Sequence, residues 1–250
     1  MGYLSKCTFT GAIIFAFSTP QISNAASTDP LLTLGLSGSY NEYRLDGQGI
    51  DEDDKSYLGE GGVFAEFGNK ISGGPGWVYQ ASLNAKYGEK NDSKTKEGQA
   101  DFDLGYRLEL DPINYLDAIV GGGYSWNRYE PQADDLGLKL TNKTPFVKAA
   151  LGYNHRFDNS VLRVEVGARH TLDGRAKLKA DNLGSDSIDL KDGTNPYAEI
   201  SMLVNQKGTL PIMAGIYYTH TQYKLDSDFE FAENTKLKRD EYGLKLGVAF

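Results

Sequence analysis

Apolar and polar residues alternate along most of this chain. In the final stretch, EYGLKLGVAF, the positions Tyr242, Leu244, Leu246, Val248 and Phe250 are apolar or aromatic, while those between are small or charged. A two-residue period is the pattern of a β-strand with two unlike faces. Ten segments share it. The first five run from Leu32 to Tyr40, Tyr57 to Phe67, Trp77 to Tyr87, Ala100 to Leu110 and Leu116 to Trp126. The last five run from Pro145 to Tyr153, Leu162 to Ala168, Pro196 to Val204, Ile212 to Tyr218 and Tyr242 to Phe250. The fourth is the clearest, with Phe102, Leu104, Tyr106 and Leu108 set against Asp101, Asp103, Arg107 and Glu109.

Segments of about ten residues match a tilted strand crossing a bilayer. Aromatics such as Tyr40, Phe67, Trp77, Tyr87, Trp126, Tyr153 and Phe250 stand at segment ends, with smaller or aliphatic residues between them. That is the expected arrangement of two interfacial girdles around an apolar band. The connections alternate between short ones (68–76, 111–114, 157–160, 205–210) and longer charged ones such as 46–56 and 173–194. The pattern predicts an all-β, transmembrane, antiparallel β-barrel of ten strands with short periplasmic turns and long extracellular loops. A soluble sandwich or lipocalin-like barrel also alternates, but its apolar face points inward. Here the other face is charged on strand after strand, and a dry core could not hold it.

The phase assigns Glu60, Asp101, Asp103, Arg107, Lys148, Arg163, Glu165, Arg169, Glu199 and Lys245 to a network of ion pairs in the lumen. Glu66, Glu109, Asp117, Glu241, Lys86 and Arg156 fall on the same face. Acids and bases nearly balance, which favours a largely plugged polar lumen over a ring of one sign. A barrel of this size is narrow, and about eight strands are already filled by side chains. The alternative is a small porin with a path for ions or small solutes. Leu136, Leu138, Leu140, Leu178, Ala180, Phe229 and Phe231 continue the alternation into the long loops, so some hairpins should extend as sheet above the membrane.

The first residues, MGYLSKCTFTGAIIFAFSTPQISNAA, hold one charge, an apolar run of about a dozen residues and a small-residue site. Residues 1–25 therefore read as a signal peptide and 26–250 as the barrel, which places the protein in the outer membrane of a Gram-negative-type envelope. The single cysteine, Cys7, lies in that leader. Its removal leaves no thiol for a disulfide, a nucleophile or a metal. The chain has 26 Lys+Arg against 34 Asp+Glu; without Lys6 the balance is 25 against 34, a net charge of −9. That excludes nucleic acid as a partner. The expected partners are outer-membrane lipid and lipopolysaccharide, the barrel assembly machinery, and a host or extracellular ligand at the loops. Tyr242, Leu244, Leu246, Val248 and Phe250 form the expected C-terminal assembly signal.

No cofactor or metal is expected, and no enzyme. RHTLDGR at 169–175 sets His170 near Asp173, and Asp134-Asp135 could supply a facing acid pair as in the omptin proteases. The spacing is H-x-x-D where those proteases use D-x-H, and the acid pair lies in the wrong loop. His170 and His220 are each followed by Thr and lack the His-x-Ser arrangement of the barrel lipid A deacylases. DEDD at 51–54 gathers four carboxylates without a defined ligand loop and reads as a solvated acidic loop.

The stretches MAGIYYTHTQYKLDS (213–227) and DEYGLKLGVAF (240–250), with ten strands and a sheet-like rim, resemble the Opc-type adhesins of the neisserial outer membrane. The resemblance implies a ten-stranded barrel used for surface adhesion through a basic cleft for sulfated glycans. The long loops here are neutral or acidic, so no binding residue is carried over.

Overall fold

The computed structural model describes residues 30–46, 55–90, 93–130, 139–180, 184–226 and 236–250. The signal segment, the acidic DEDD stretch, Asp134-Asp135, Leu136, Leu138, Phe229 and Phe231 lie outside the described residues. The described chain is a single antiparallel sheet closed on itself. Its strands are β1 (Leu31–Asp46), β2 (Lys55–Gly68), β3 (Gly76–Lys90), β4 (Ser93–Asp111), β5 (Asn114–Glu130) and β6 (Lys139–Arg156). They continue as β7 (Ser160–Thr171), β8 (Gly174–Ala180), β9 (Gly184–Lys191), β10 (Gly193–Val204), β11 (Ile212–Asp226) and β12 (Lys236–Ala249).

Twelve strands make ten staves. β7 and β8 are successive parts of one stave, and β9 and β10 of the next. Below the break β7 pairs with β6 and β10; above it β8 pairs with β6 and β9, and β9 with β11. At the break Leu172 N–H bonds Pro145 O at 2.9 Å, Asp173 N–H bonds the Asp192 carboxylate at 2.9 Å, and Thr171 Oγ1 and Gly193 exchange hydrogen bonds. Asp173 sits at φ 29°, where aspartate is among the better-tolerated residues. The ring closes where β1 pairs with β12 from Thr33↔Ala249 to Asp46↔Lys236. With no free edge, every backbone donor and acceptor of the wall can be satisfied inside lipid.

The wall is inside out relative to a soluble protein. Leu36, Val63, Trp77, Leu83, Val120, Leu244 and Leu246 are exposed, while Asn41, Asp103, Arg107, Asp117, Asn154 and Arg163 are buried. The aromatic girdles pair across strands: Tyr40 stacks on Tyr57 and Tyr218 packs on Tyr242 at the extracellular end, and Trp77 meets Tyr106 edge-on at the periplasmic end. All ten predicted segments are staves with their apolar residues outward. The 19 residues of β4 and 18 of β6 far exceed the roughly 9–11 needed to span the bilayer, so the sheet continues as a rim. Leu140 lies in β6, and Leu178 and Ala180 in β8, within that rim. β3 and β4 are separated only by residues 91–92; the long loop expected there is strand instead.

Candidate functional site

Inward-facing residues of neighbouring staves meet across the lumen in layers. Near the periplasmic end Arg107 Nε and Nη2 donate to the two oxygens of Asp117 at 2.6 and 2.8 Å. Arg163 bonds Asp117 with one nitrogen and Glu165 at 2.7 Å with the other. Lys70 then links Glu165 at 3.1 Å to Asp103 at 2.7 Å, and Lys148 links Asp103 at 2.6 Å to Asp101 at 2.9 Å. The result is an unbroken chain of alternating charge from β4 through β5, β7 and β6. Asn154 donates to Asp117 at 3.0 Å and the Tyr197 hydroxyl to Glu165 at 2.8 Å, so the lone pairs beyond the ion pairs are used as well.

Higher in the lumen Lys245 joins Glu66 at 3.1 Å to Glu199 at 3.3 Å, and Ser201 donates to Glu199 at 2.7 Å. Toward the rim Arg239 holds Glu97 at 2.7 Å, Glu241 at 3.0 Å and Glu60 at 3.3 Å, and its Nε donates to Asn41 at 2.7 Å. Lys86 pairs with Glu241 on the other side. A cavity of about 110 Å³ remains between these layers, touched by Lys86, Lys148, Arg169, Lys245, Tyr197 and Tyr217 among others.

Lys70 has no place in the network expected from the sequence. It belongs to the connection 68–76, expected to be a short periplasmic turn. The structure folds that turn up into the barrel mouth. Ser72 and Lys70 are buried, and Ile71 packs on an apolar floor of Phe64, Leu203, Met213 and Ala249. Arginines hold its backbone: Arg107 bonds the carbonyls of Lys70 and Gly73, Arg156 those of Ser72 and Gly73, and Arg163 that of Lys70. The one available signal was a lysine and an isoleucine side by side in a turn otherwise made of small and polar residues. Glu97 and Arg239 also lie beyond the expected segments, because β4 and β12 begin several residues before Ala100 and Tyr242.

Nine of the ten residues assigned to the network lie in ion pairs as described. Arg169 departs from the expectation: among the described residues it makes no direct ion pair. Its Nη1 donates to Gln99 at 3.2 Å, and its guanidinium lies over the rings of Tyr197 and Phe146 at 5.0 and 5.4 Å. The electron-rich ring faces attract the cation in place of a carboxylate. Glu109, also expected inside, is exposed at the end of β4, where the β4–β5 register shifts. In the turn that follows, Asp111 accepts hydrogen bonds from Asn114 and from the Ile113 N–H, and these hold its carboxyl below the usual aspartate range.

The histidines all face away from the lumen or its mouth. His170 contacts Thr194 at 3.1 Å and lies 3.9 Å from Asp192, not beside Asp173 as the sequence suggested. His220 bonds Asp240 at 2.8 Å beside Tyr218, and His155 bonds Asn114 at 2.7 Å. Tyr242, Leu244, Leu246 and Phe250 point to the lipid side.

No family model matches the sequence, and no curated protein matches it. Solved structures do. The outer membrane protease OmpT from Escherichia coli is 10% identical with a TM-score of 0.51, over 93% of this chain and 99% of that one. The translocator domain of the autotransporter NalP from Neisseria meningitidis is 15% identical with a TM-score of 0.44, over 88% of each. The attachment invasion locus protein Ail of Yersinia pestis is 14% identical with a TM-score of 0.29, over 88% of this chain and 99% of that one. The first likeness is one of fold alone. Together with the closed register and the outward apolar band, it makes the chain a ten-stranded antiparallel barrel of the outer-membrane type.

Proposed function

We propose that the chain is a non-enzymatic surface barrel whose work is binding or adhesion at the extracellular rim, on a lumen that does not conduct. The observation that carries this is the 68–76 turn. It enters the periplasmic mouth, places Lys70 between Asp103 and Glu165, and is held by three arginines. A barrel sealed at one end by charge-assisted hydrogen bonds is a rigid post, and binding on such posts belongs to their exposed loops and rims. The resemblance to Opc-type adhesins supports the same role, with an extracellular ligand other than a sulfated polyanion, given the acidic balance of this chain. Outer-membrane lipid and lipopolysaccharide would surround the wall, and the assembly machinery would read the C-terminal strand.

A small porin is the second reading, and the balanced cavity between the ion-pair layers favours it. Planar-bilayer recording separates the two. The purified protein should show no stable conductance steps, whereas a variant with residues 69–75 replaced by a short Gly-Ser linker, which removes the in-folded turn together with Lys70, should produce them. Steady unitary conductance from the unaltered protein would overturn the sealed-barrel reading.

A further inference from the structure

The outer surface, from the lipid-facing wall to the base of the rim, carries two features that the ion-paired lumen does not explain. The first is a furrow of about 720 Å³ running obliquely up the outside from Phe250 to Trp126. Its floor is made of small residues brought level by the strand register: Ala85 opposite Gly98, with Ala100 beside them. Leu83, Tyr124 and Trp126 form its sides. The second feature lies at its upper end. Outward positions just above Trp126 are basic, with Lys96 opposite Arg128, Lys143 opposite both Trp126 and Arg175, and Lys177 opposite Thr141. Among the described residues the acids of this face are already engaged: Glu89 with Lys94 at 3.5 Å, Glu130 with Arg128 at 2.8 Å, and Asp189 with Arg175 at 3.7 Å. Lys96, Lys143 and Lys177 are exposed and make no ion pair among the described residues.

A chain with a formal net charge of −8 has thus gathered unpaired cations on its outer wall, roughly one lysine side chain above an interfacial tryptophan. Lys96 and Lys143 stand two strands across and two residues along from each other, about 12 Å. Flexible lysine stems can converge on one anion across that gap while their carbons rest on the apolar surface. We propose that this wall docks a phosphorylated lipid of the outer leaflet, with an acyl chain along the furrow and a phosphate held by Lys96, Lys143 and Lys177. A second copy of the barrel fits less well, because a two-fold contact through this face would set the same unpaired lysines against each other. The proposal rests on the barrel lying in an outer membrane. It is independent of conduction and of what the rim binds.

The test is native mass spectrometry of the detergent-solubilised protein with diphosphorylated lipid A, its dephosphorylated form, and soluble glucosamine phosphate. The phosphorylated lipid should be retained in preference to both controls. Replacing Lys96, Lys143 and Lys177 together by Gln should weaken retention by roughly 100-fold, from about fivefold per surface lysine. Gly98→Leu should weaken lipid retention by filling the furrow. A Cβ at Gly98 meets nothing nearer than a Trp126 ring carbon at 3.9 Å, so the wall should tolerate it. Circular dichroism confirms that each variant is folded. Equal retention of the two lipids, unchanged retention by the triple variant, competition by glucosamine phosphate as strong as by lipid, or a barrel dimer that excludes lipid would each overturn the proposal.

Discussion

Asp117 shows what a charge needs to remain buried. It is fully enclosed and carries two guanidinium partners, Arg107 and Arg163, with Asn154 as a further donor. Asp117→Asn keeps the shape but removes the charge both arginines answer. Breaking a buried ion pair from one side typically costs about 3–5 kcal/mol. The variant should lose stability of that order in denaturant unfolding from liposomes, and a loss below about 1 kcal/mol would mean that water already screens this layer. The inward glycines serve the same network. A side chain on Gly152 would occupy the space of the Arg163 guanidinium, and one on Gly121 would crowd Asp103 and Lys148. At Asp111 the sign of the pH effect follows from the depressed carboxyl: its hydrogen bonds support the β4–β5 turn above the usual aspartate range and are lost as the pH falls below it.

At the scale of the element, the sequence pattern decided the staves because each one repeats the same rule over many residues. Lipid demands an apolar face, water or an ion partner demands a polar one, and the pleat alternates them. Turns carry no such repeated signal. The 68–76 connection has the length and the glycines of an ordinary turn, and nothing in its spacing states that it folds inward. Its place depends on Arg107, Arg156 and Arg163, each distant in sequence. The β8–β9 hairpin is the opposite case. Leu178 and Ala180 hinted at sheet in a stretch that otherwise reads as a charged loop, and the hairpin is tied to β6 and β11. It stands above the β7–β10 break, so shortening it there should leave the membrane ring intact. A variant with 175–190 replaced by a short Gly-Ser linker should refold in detergent with unchanged thermal stability within a few degrees and lose binding on a glycan and matrix-protein array. Unchanged binding would move the ligand site to another part of the rim.

Over the whole molecule, closure is the step on which the rest depends. The last strand pairs on one side with β1 and on the other with β11, so the first and last described strands are neighbours although they are separated by the full length of the barrel sequence. Leu32 and Phe250 exchange backbone hydrogen bonds of 2.9 and 3.1 Å, which fasten the terminal residue after the ladder proper has ended. Until that contact forms, β1 and β12 each present an open edge that lipid cannot satisfy, and the ion-pair layers built on β12 cannot assemble, because Arg239, Glu241 and Lys245 must meet Glu60, Lys86 and Glu66 on β2 and β3. Loop-closure entropy must be paid before so non-local a pairing rewards it, which makes closure the slow step of folding. Deleting Phe250 should therefore slow refolding into liposomes several-fold, read by the gain of β-sheet signal, and leave the denaturant midpoint of the completed barrel within a small margin of the parent. A large drop in the midpoint with an unaltered rate would assign the terminal aromatic to the stability of the finished wall and not to its closure.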